Sequence, residues 1–169
     1  MCRSCKFSTS TCNNFSKVIF EIGKKLEIKI QLGGTYMTME GPQFSTLAES
    51  KLYKDNWKCD VIGMTNMPEA KLAKEAEICY TSLSMVTDFD CWHPDHDSVE
   101  VSDIIEILTN NSSKAQRIIE ALPEFLISSR DLCSLGCNNA LDNAIITAPE
   151  KRDPKILKTL DTLLQRLNK

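Results

Sequence analysis

The stretch Ile78-Cys79-Tyr80-Thr81-Ser82-Leu83-Ser84-Met85-Val86-Thr87-Asp88-Phe89-Asp90 decides how this 169-residue chain reads. Residues 78–86 are apolar or small and contain neither Gly nor Pro, which is the pattern of a buried strand. Two carboxylates, Asp88 and Asp90, arrive where that strand would leave its sheet. Ligands of open α/β sheets collect outside the carboxyl ends of strands, so acids spaced i, i+2 at such an end are placed for chemistry. On spacing alone, an Asp at a strand end is more often a turn or cap residue bonded to nearby backbone N–H groups. Only the neighbouring segments shift that balance.

Upstream, Phe15, Val18, Ile19, Ile22 and Leu26 form one apolar helical stripe, with Lys24 and Lys25 suited to the negative end of the helix dipole. Ile28 to Gln31 reads as a strand, and Gly33-Gly34 as a tight turn into Thr35 to Met39, together a hairpin. Glu40 to Ser45 is a loop punctuated by Gly41 and Pro42, before Thr46-Leu47-Ala48-Glu49, a capping box that opens a helix. Phe44 in that loop could stack on a planar ligand or serve as a hydrophobic plug. Cys59 to Met64 reads as a second buried strand, and Thr65-Asn66-Met67-Pro68-Glu69 as a helix entrance whose N–H groups form an anion site, with the Thr65 hydroxyl beside them.

Downstream, residues 101–108 and 115–126 have helical spacing, with Ser102 as a cap and Pro123 dividing or kinking the second helix. Asp153 and Pro154 open a final helix striped by Ile156, Leu157, Leu160, Leu163, Leu164 and Leu167, a face for its own domain rather than for a partner helix. Residues 1–14 show neither helical nor strand periodicity and read as a disordered leader, so the division expected is leader 1–14 and domain 15–169.

A chain with 42% hydrophobic and 25% charged residues is ordinary for one globular domain. The net charge of −3 lacks the basic face of a general nucleic-acid binder. No apolar run is long enough to cross a membrane and no signal-peptide core is visible, which points to the cytosol. Of eight cysteines, Cys59, Cys79, Cys91, Cys133 and Cys137 lie scattered through regular segments and read as reduced, mostly buried thiols. Cys2 and Cys5 have metal-knuckle spacing with Cys12 nearby, but no fourth local ligand accompanies them, and His93 and His96 fit a solvated loop. No metal is expected.

Three segments together carry a family resemblance: GGTYMTMEGPQFSTLAES at 33–50, CDVIGMTNMPEAKLAKEAEICY at 59–80 and SMVTDFDCW at 84–92. In this order and spacing they resemble consecutive blocks of the trimeric purine nucleoside phosphorylase family, most closely its methylthioadenosine phosphorylase branch. The likeness runs from about Phe15 to the C-terminus and covers only the C-terminal portion of such an enzyme. Residues 1–14 do not match what the family would place upstream, which suggests a truncated or shifted start. The resemblance implies an α/β fold, a phosphorylase/hydrolase-like three-layer α/β/α architecture with a central mixed sheet, here incomplete on its N-terminal side.

It also implies a chemistry. Family members cleave the bond between ribose and purine with phosphate as nucleophile, through an oxocarbenium-like transition state, with phosphate as co-substrate and no cofactor. A carboxylic acid near the five-membered ring can protonate N7 of the leaving purine, which asks for a shielded carboxyl of raised pKa. By motif position Asp88 resembles that acid, and Asp90 the acceptor for the exocyclic amino group of adenine. Phe44 resembles the ring packed on the base, Ser45 a residue of the specificity loop, Met64 the side chain under the ribose and Thr65 a phosphate ligand. Val101 and Ile105 would line the pocket of the 5′-methylthio group. Gly63 departs from the Asn of some relatives. Asp at 88 and an apolar Val101 favour a 6-aminopurine with an apolar 5′ substituent, since 6-oxopurine enzymes of the family carry Asn at the first position.

The partners implied are a nucleoside and phosphate, with no nucleic acid and no membrane, and a homotrimer as the complete enzyme. Within the class the second reading is a purine nucleoside phosphorylase of broader specificity. Outside it stand a non-catalytic remnant or interaction module and, last, a metal-binding domain. The family's remaining phosphate ligands, a Ser or Thr loop and an Arg-His pair, would lie outside these residues, so residues 1–169 alone are expected to show little or no phosphorolysis and to aggregate or fold in part.

Overall fold

The computed structural model of the chain describes residues 9–93, 101–128 and 133–167, with the backbone alone at Val101, Ile127 and Ser128. Two compact units result. One comprises Ser16–Met67 and Ser82–Arg130, and the other Met1–Phe15, Pro68–Thr81 and Asp131–Lys169.

The first unit holds the sheet. Its entry is α1 (Asn13–Lys25), whose apolar stripe is the expected one: Ile22 is fully buried, and Gly23 lies so close to Ile30 that a Cβ would sit 2.8 Å from its Cγ2. The helix ends in two reciprocal bonds, Ile28 N–H to Gly23 C=O at 2.8 Å and Glu27 N–H to Lys24 C=O at 3.0 Å, around Glu27 in the left-handed region. That arrangement satisfies carbonyls the helix itself leaves open.

The expected strand Ile28–Gln31 is not formed, and the hairpin with it is a correction. Gly33 and Gly34 do take the positive φ of a turn (82° and 120°), but the strand they lead into, β1 (Tyr36–Thr38), pairs in parallel with β2 (Val61–Gly63). The register is Tyr36 to Val61, Met37 to Ile62 and Thr38 to Gly63. Parallel pairing requires a crossover. It is supplied by α2 (Leu47–Lys51), which continues as one π turn, Leu52–Asn56. Thr46 opens α2 with the capping box expected, accepting from Glu49 N–H at 3.3 Å while Glu49 accepts from Thr46 N–H at 2.8 Å. The start of β1 is fixed by Asp60, whose carboxylate accepts Thr35 N–H at 2.6 Å.

The two helices expected over 101–108 and 115–126 are one, α4 (Val101–Ser128), with Ser102 inside it rather than capping it and Pro123 accommodated without dividing it. Ile118 is buried, Arg117 donates to Leu26 C=O at 3.2 Å, and Lys25 lies over the Phe125 ring at 4.9 Å, so α4 covers the end of α1.

The expected strand over 78–86 has no ladder among the described residues. A strand exists only where a neighbour accepts its hydrogen bonds. Its backbone bonds go instead to separate elements: Ile78 N–H to Ala73 C=O at 2.9 Å, Cys12 N–H to Tyr80 C=O at 2.7 Å, and the Asn111 side chain to Val86 C=O at 2.8 Å. Ile78, Met85 and Val86 are exposed.

In the second unit, α3 (Asn66–Glu75) has an extended residue at Met67 (φ −116°, ψ 132°), so its unbroken helix starts at Pro68. It ends as α1 does, with Ile78 N–H on Ala73 C=O at 2.9 Å around left-handed Glu77. The Glu77 carboxylate receives Arg166 through two of its nitrogens and Leu141 N–H at 3.0 Å, and Arg166 also reaches Asp142 at 2.6 Å. The Arg166 hydrogen bonds hold the Glu77 carboxyl below the usual glutamate range. Asp153 caps α5 (Pro154–Thr159) by accepting Lys155 N–H at 2.7 Å, and Leu160 interrupts the leucine stripe before α6 (Asp161–Leu164), of which Leu164 is buried. Residues 1–8 of the expected disordered leader lie outside the described residues, but Cys12 is buried and Asn13 begins α1. No helix among the described residues is long and apolar enough to cross a membrane.

Candidate active site

Parallel strands end on the same side, so β1 and β2 deliver Met39 and Met64 to one edge, where Met39 N–H extends the ladder to Gly63 C=O at 2.9 Å. Ligands of parallel α/β sheets bind at that edge. Gly63 has no room for a side chain because the Tyr36 hydroxyl lies over it, which gives this Gly a packing reason of its own. Beyond the strands, Gly41 (φ 73°) lets the loop close on Met64, whose Sδ would stand 3.2 Å from a Cβ there. The Gly41-Pro42 peptide is cis.

The same loop meets the segment that carries the two acids. Ser45 donates through Oγ to Met39 Sδ at 3.5 Å, and its carbonyl accepts from Cys91 Sγ at 3.5 Å. Ser50 on α2 is 1% exposed and donates through Oγ to Asp90 Oδ2 at 2.7 Å, while Asp90 Oδ1 accepts Cys91 N–H at 2.9 Å. His93 N–H closes the turn on Asp90 C=O at 3.0 Å. Its other face is aromatic: Phe89 stacks on His93 with ring centres 4.6 Å apart, and Lys54 lies over the Trp92 ring. His96 lies outside the described residues.

The structure therefore joins Ser45, Met64 and Asp90 through one loop, and leaves the other expected site residues more open. Asp88 is exposed, and its Oδ1 accepts from Thr87 Oγ1 at 2.7 Å. Asp88 lies at a bend, and Asp90 opens the turn that His93 N–H closes. Phe44 is 84% exposed, and Thr65 is exposed just ahead of α3. Ile105 is exposed on α4, seven residues before Ser112, whose Oγ approaches Met85 Sδ at 4.0 Å, so both lie on the face turned to the Met85–Val86 segment. The Val101 side chain lies outside the described residues.

Sequence reasoning missed Ser50, Cys91 and Met39. Ser50 carried one signal, a small polar residue ending the block at 33–50 on a helix opened by a capping box.

A separate group of side chains could hold a metal. The sulfurs of Cys12, Cys79, Cys133 and Cys137, all in the second unit, lie within 4.8 Å of one another, with Cys12 and Cys133 at 3.4 Å. Burial pushes the Cys79 and Cys137 thiols up. For Cys133 burial also acts upward, but hydrogen bonds from the Cys137 and Leu135 N–H groups and from neighbouring thiols prevail and bring it to about 6. Cys79, Cys133 and Cys137, scattered in sequence, thus meet Cys12 in one cluster of free thiols.

A family model described as the phosphorylase superfamily matches residues 4–124. The S-methyl-5′-thioadenosine phosphorylase of Cereibacter sphaeroides is 54% identical over 159 residues, 94% of this chain and 54% of that protein. That of Bradyrhizobium diazoefficiens is 58% identical over 140 residues, 83% of this chain and 48% of that protein. A crystal structure of a methylthioadenosine phosphorylase from an antarctic soil metagenomic library superposes with a TM-score of 0.86 at 36% identity, covering 95% of this chain and 56% of that one. A Schistosoma mansoni methylthioadenosine phosphorylase in complex with adenine superposes at 0.66 with 28% identity, over 79% of this chain and 52% of that one. The chain thus spans about half the length of the relatives it matches. The parallel βαβ core, the agreement with solved structures and the match over residues 4–124 have one meaning: the chain has the α/β nucleoside phosphorylase fold and belongs to the phosphorylase superfamily.

Proposed function

We propose that these residues form the purine-side portion of an enzyme that phosphorolyses 5′-methylthioadenosine to adenine and 5-methylthioribose 1-phosphate. The observation that carries the reading is 54% identity over 94% of the chain to a relative of that name. In the reaction a phosphate oxygen bonds to C1′ as the C1′–N9 bond breaks, and the electron pair of that bond passes to the purine. Adenine then leaves as a neutral base if N7 receives a proton, the role assigned to Asp88. Asp90 accepts from the exocyclic amino group. Its oxygens already accept from Ser50 and Cys91, but a carboxylate oxygen has two lone-pair sites, so each retains capacity.

Phe44, with its ring face open, stacks on the base, and Ser45 fixes the loop that carries it. Met64 lies under the ribose and keeps water from the oxocarbenium face, while Thr65 offers a hydroxyl to phosphate at the sheet edge. Val101 and Ile105 enclose the 5′-methylthio group. The surface left open around Phe44, Phe89 and Ile105 suits coverage by further protein, in keeping with a homotrimer as the complete enzyme. Phosphate is the co-substrate, no cofactor is needed, and the absence of disulfides among the described cysteines suits the cytosol.

The test is adenine release from 5′-methylthioadenosine, with and without phosphate, by a chimaera in which residues 15–169 follow the N-terminal portion of the Cereibacter sphaeroides relative. Phosphate-dependent release that exceeds inosine cleavage supports the reading. A folded chimaera that prefers inosine would instead indicate a broader purine nucleoside phosphorylase.

A further inference from the structure

We propose that Cys12, Cys79, Cys133 and Cys137 form a tetrathiolate zinc site that fastens three segments of the second unit. Four sulfurs within 4.8 Å of one another define a compact cluster. Around a tetrahedral Zn²⁺ with bonds of about 2.3 Å, sulfurs stand about 3.8 Å apart, so contraction by roughly 1 Å closes the site. Two disulfides would need only pairs, whereas here each of the four sulfurs lies within 4.8 Å of the other three.

The backbone around the cluster is shaped for it. Cys133 and Cys137 flank a tight turn in which Gly136 is left-handed (φ 62°) and donates its N–H to Cys133 C=O at 2.9 Å. The left-handed φ there favours Gly over residues that carry a Cβ. The N–H groups of Leu135 and Cys137 point at Cys133 Sγ. Donors of this kind orient a thiolate ligand and moderate its charge at a metal. The other two ligands are brought alongside by Cys12 N–H bonding to Tyr80 C=O at 2.7 Å, one residue beyond Cys79.

Lys74 supplies an independent observation. It is only 7% exposed, and its Nζ lies 3.5 Å from Cys137 Sγ. A buried ammonium is costly unless it faces negative charge. Four thiolates around Zn²⁺ carry a net charge of −2, and Lys74 offsets half of it. Binding involves no electron transfer: up to four thiol protons pass to solvent as four S–Zn bonds form.

The experiment uses the full chain, purified with reductant and without chelator. One zinc per chain is expected, with X-ray absorption showing four sulfur neighbours, and exchange for Co²⁺ should give a tetrahedral spectrum with thiolate charge-transfer bands. Cys79→Ser should lower zinc affinity by more than tenfold, while Cys59→Ser and the Cys2→Ser/Cys5→Ser double variant should keep the metal. The sulfur count on the native chain needs no variant, so failure of Cys79→Ser to fold leaves the test intact. Reduced protein that binds no zinc, fewer than four sulfur neighbours, these cysteines paired as disulfides, or zinc lost with Cys2 and Cys5 would each overturn the proposal.

Discussion

Removing one hydroxyl, in Ser50→Ala, should free the turn that carries both acids from the helix after the specificity loop. Ser50 is essentially inaccessible, and its bond to Asp90 at 2.7 Å links positions forty apart in sequence. A hydrogen bond to a charged acceptor contributes about 1.5–3 kcal/mol, and deleting the donor leaves the acceptor desolvated. Asp90 is half-buried and keeps Cys91 N–H on its other oxygen, so the lower part of that range applies, about 1.5–2 kcal/mol. With urea slopes of about 1–3 kcal/mol per molar, the unfolding midpoint should fall by roughly 0.5–2 M. The specific test is a double-mutant cycle with Asp90→Asn in urea melts. If the bond couples α2 to the turn, the cycle should give an interaction energy of about 1 kcal/mol or more. Additivity within about 0.3–0.5 kcal/mol would refute the link. In the chimaera, the same substitution should raise KM for the nucleoside more than it lowers kcat, because the base-side acids lose their anchor.

Three further outcomes follow from single contacts. Gly63→Ala should cost about 1–3 kcal/mol in denaturant melts through overpacking on Tyr36, and Tyr36→Phe in the same chain should recover part of it. The folded-state pKa of Glu77 is lowered, so its contribution is full above its unfolded value of about 4.3 and is lost as pH falls through the folded value. Midpoint stability of the chimaera should therefore drop more steeply below about pH 4 than that of its Glu77→Gln variant, and parallel acid limbs would show the Arg166 pairing to be inconsequential. Val101→Asp in the chimaera should lower the kcat/KM ratio of 5′-methylthioadenosine to adenosine, by setting a charge beside an apolar thioether; an unchanged ratio removes Val101 from the 5′ pocket.

What could be read before the structure was local. The stripe around Ile22, the capping box of Thr46 and Glu49, the Asp153 cap and the positive φ of Gly33 and Gly34 depend on residues a few positions apart, where sequence spacing is spatial spacing. What could not be read was pairing. The Gly33-Gly34 turn marks Thr35 to Met39 as a strand, but it does not say that the partner is Val61–Gly63 across a helix rather than the nearer Ile28–Gln31. The apolar run at 78–86 has strand composition without, among the described residues, a neighbour to make it one. The bond from Ser50 to Asp90 and the four-cysteine cluster likewise arise only when distant segments meet. The family resemblance supplied what periodicity could not, because its three blocks mark one edge of the sheet at once, and the match over residues 4–124 bears it out.

The measurement that bears most directly on the proposed chemistry is the turnover of 5′-methylthioadenosine at saturating phosphate by the chimaera and by its Asp88→Asn variant. If Asp88 delivers the proton to N7, the variant should be slower by about a hundredfold or more, the scale of general-acid catalysis, with KM for phosphate little changed. Equal turnover in the two proteins would take the acid role from Asp88.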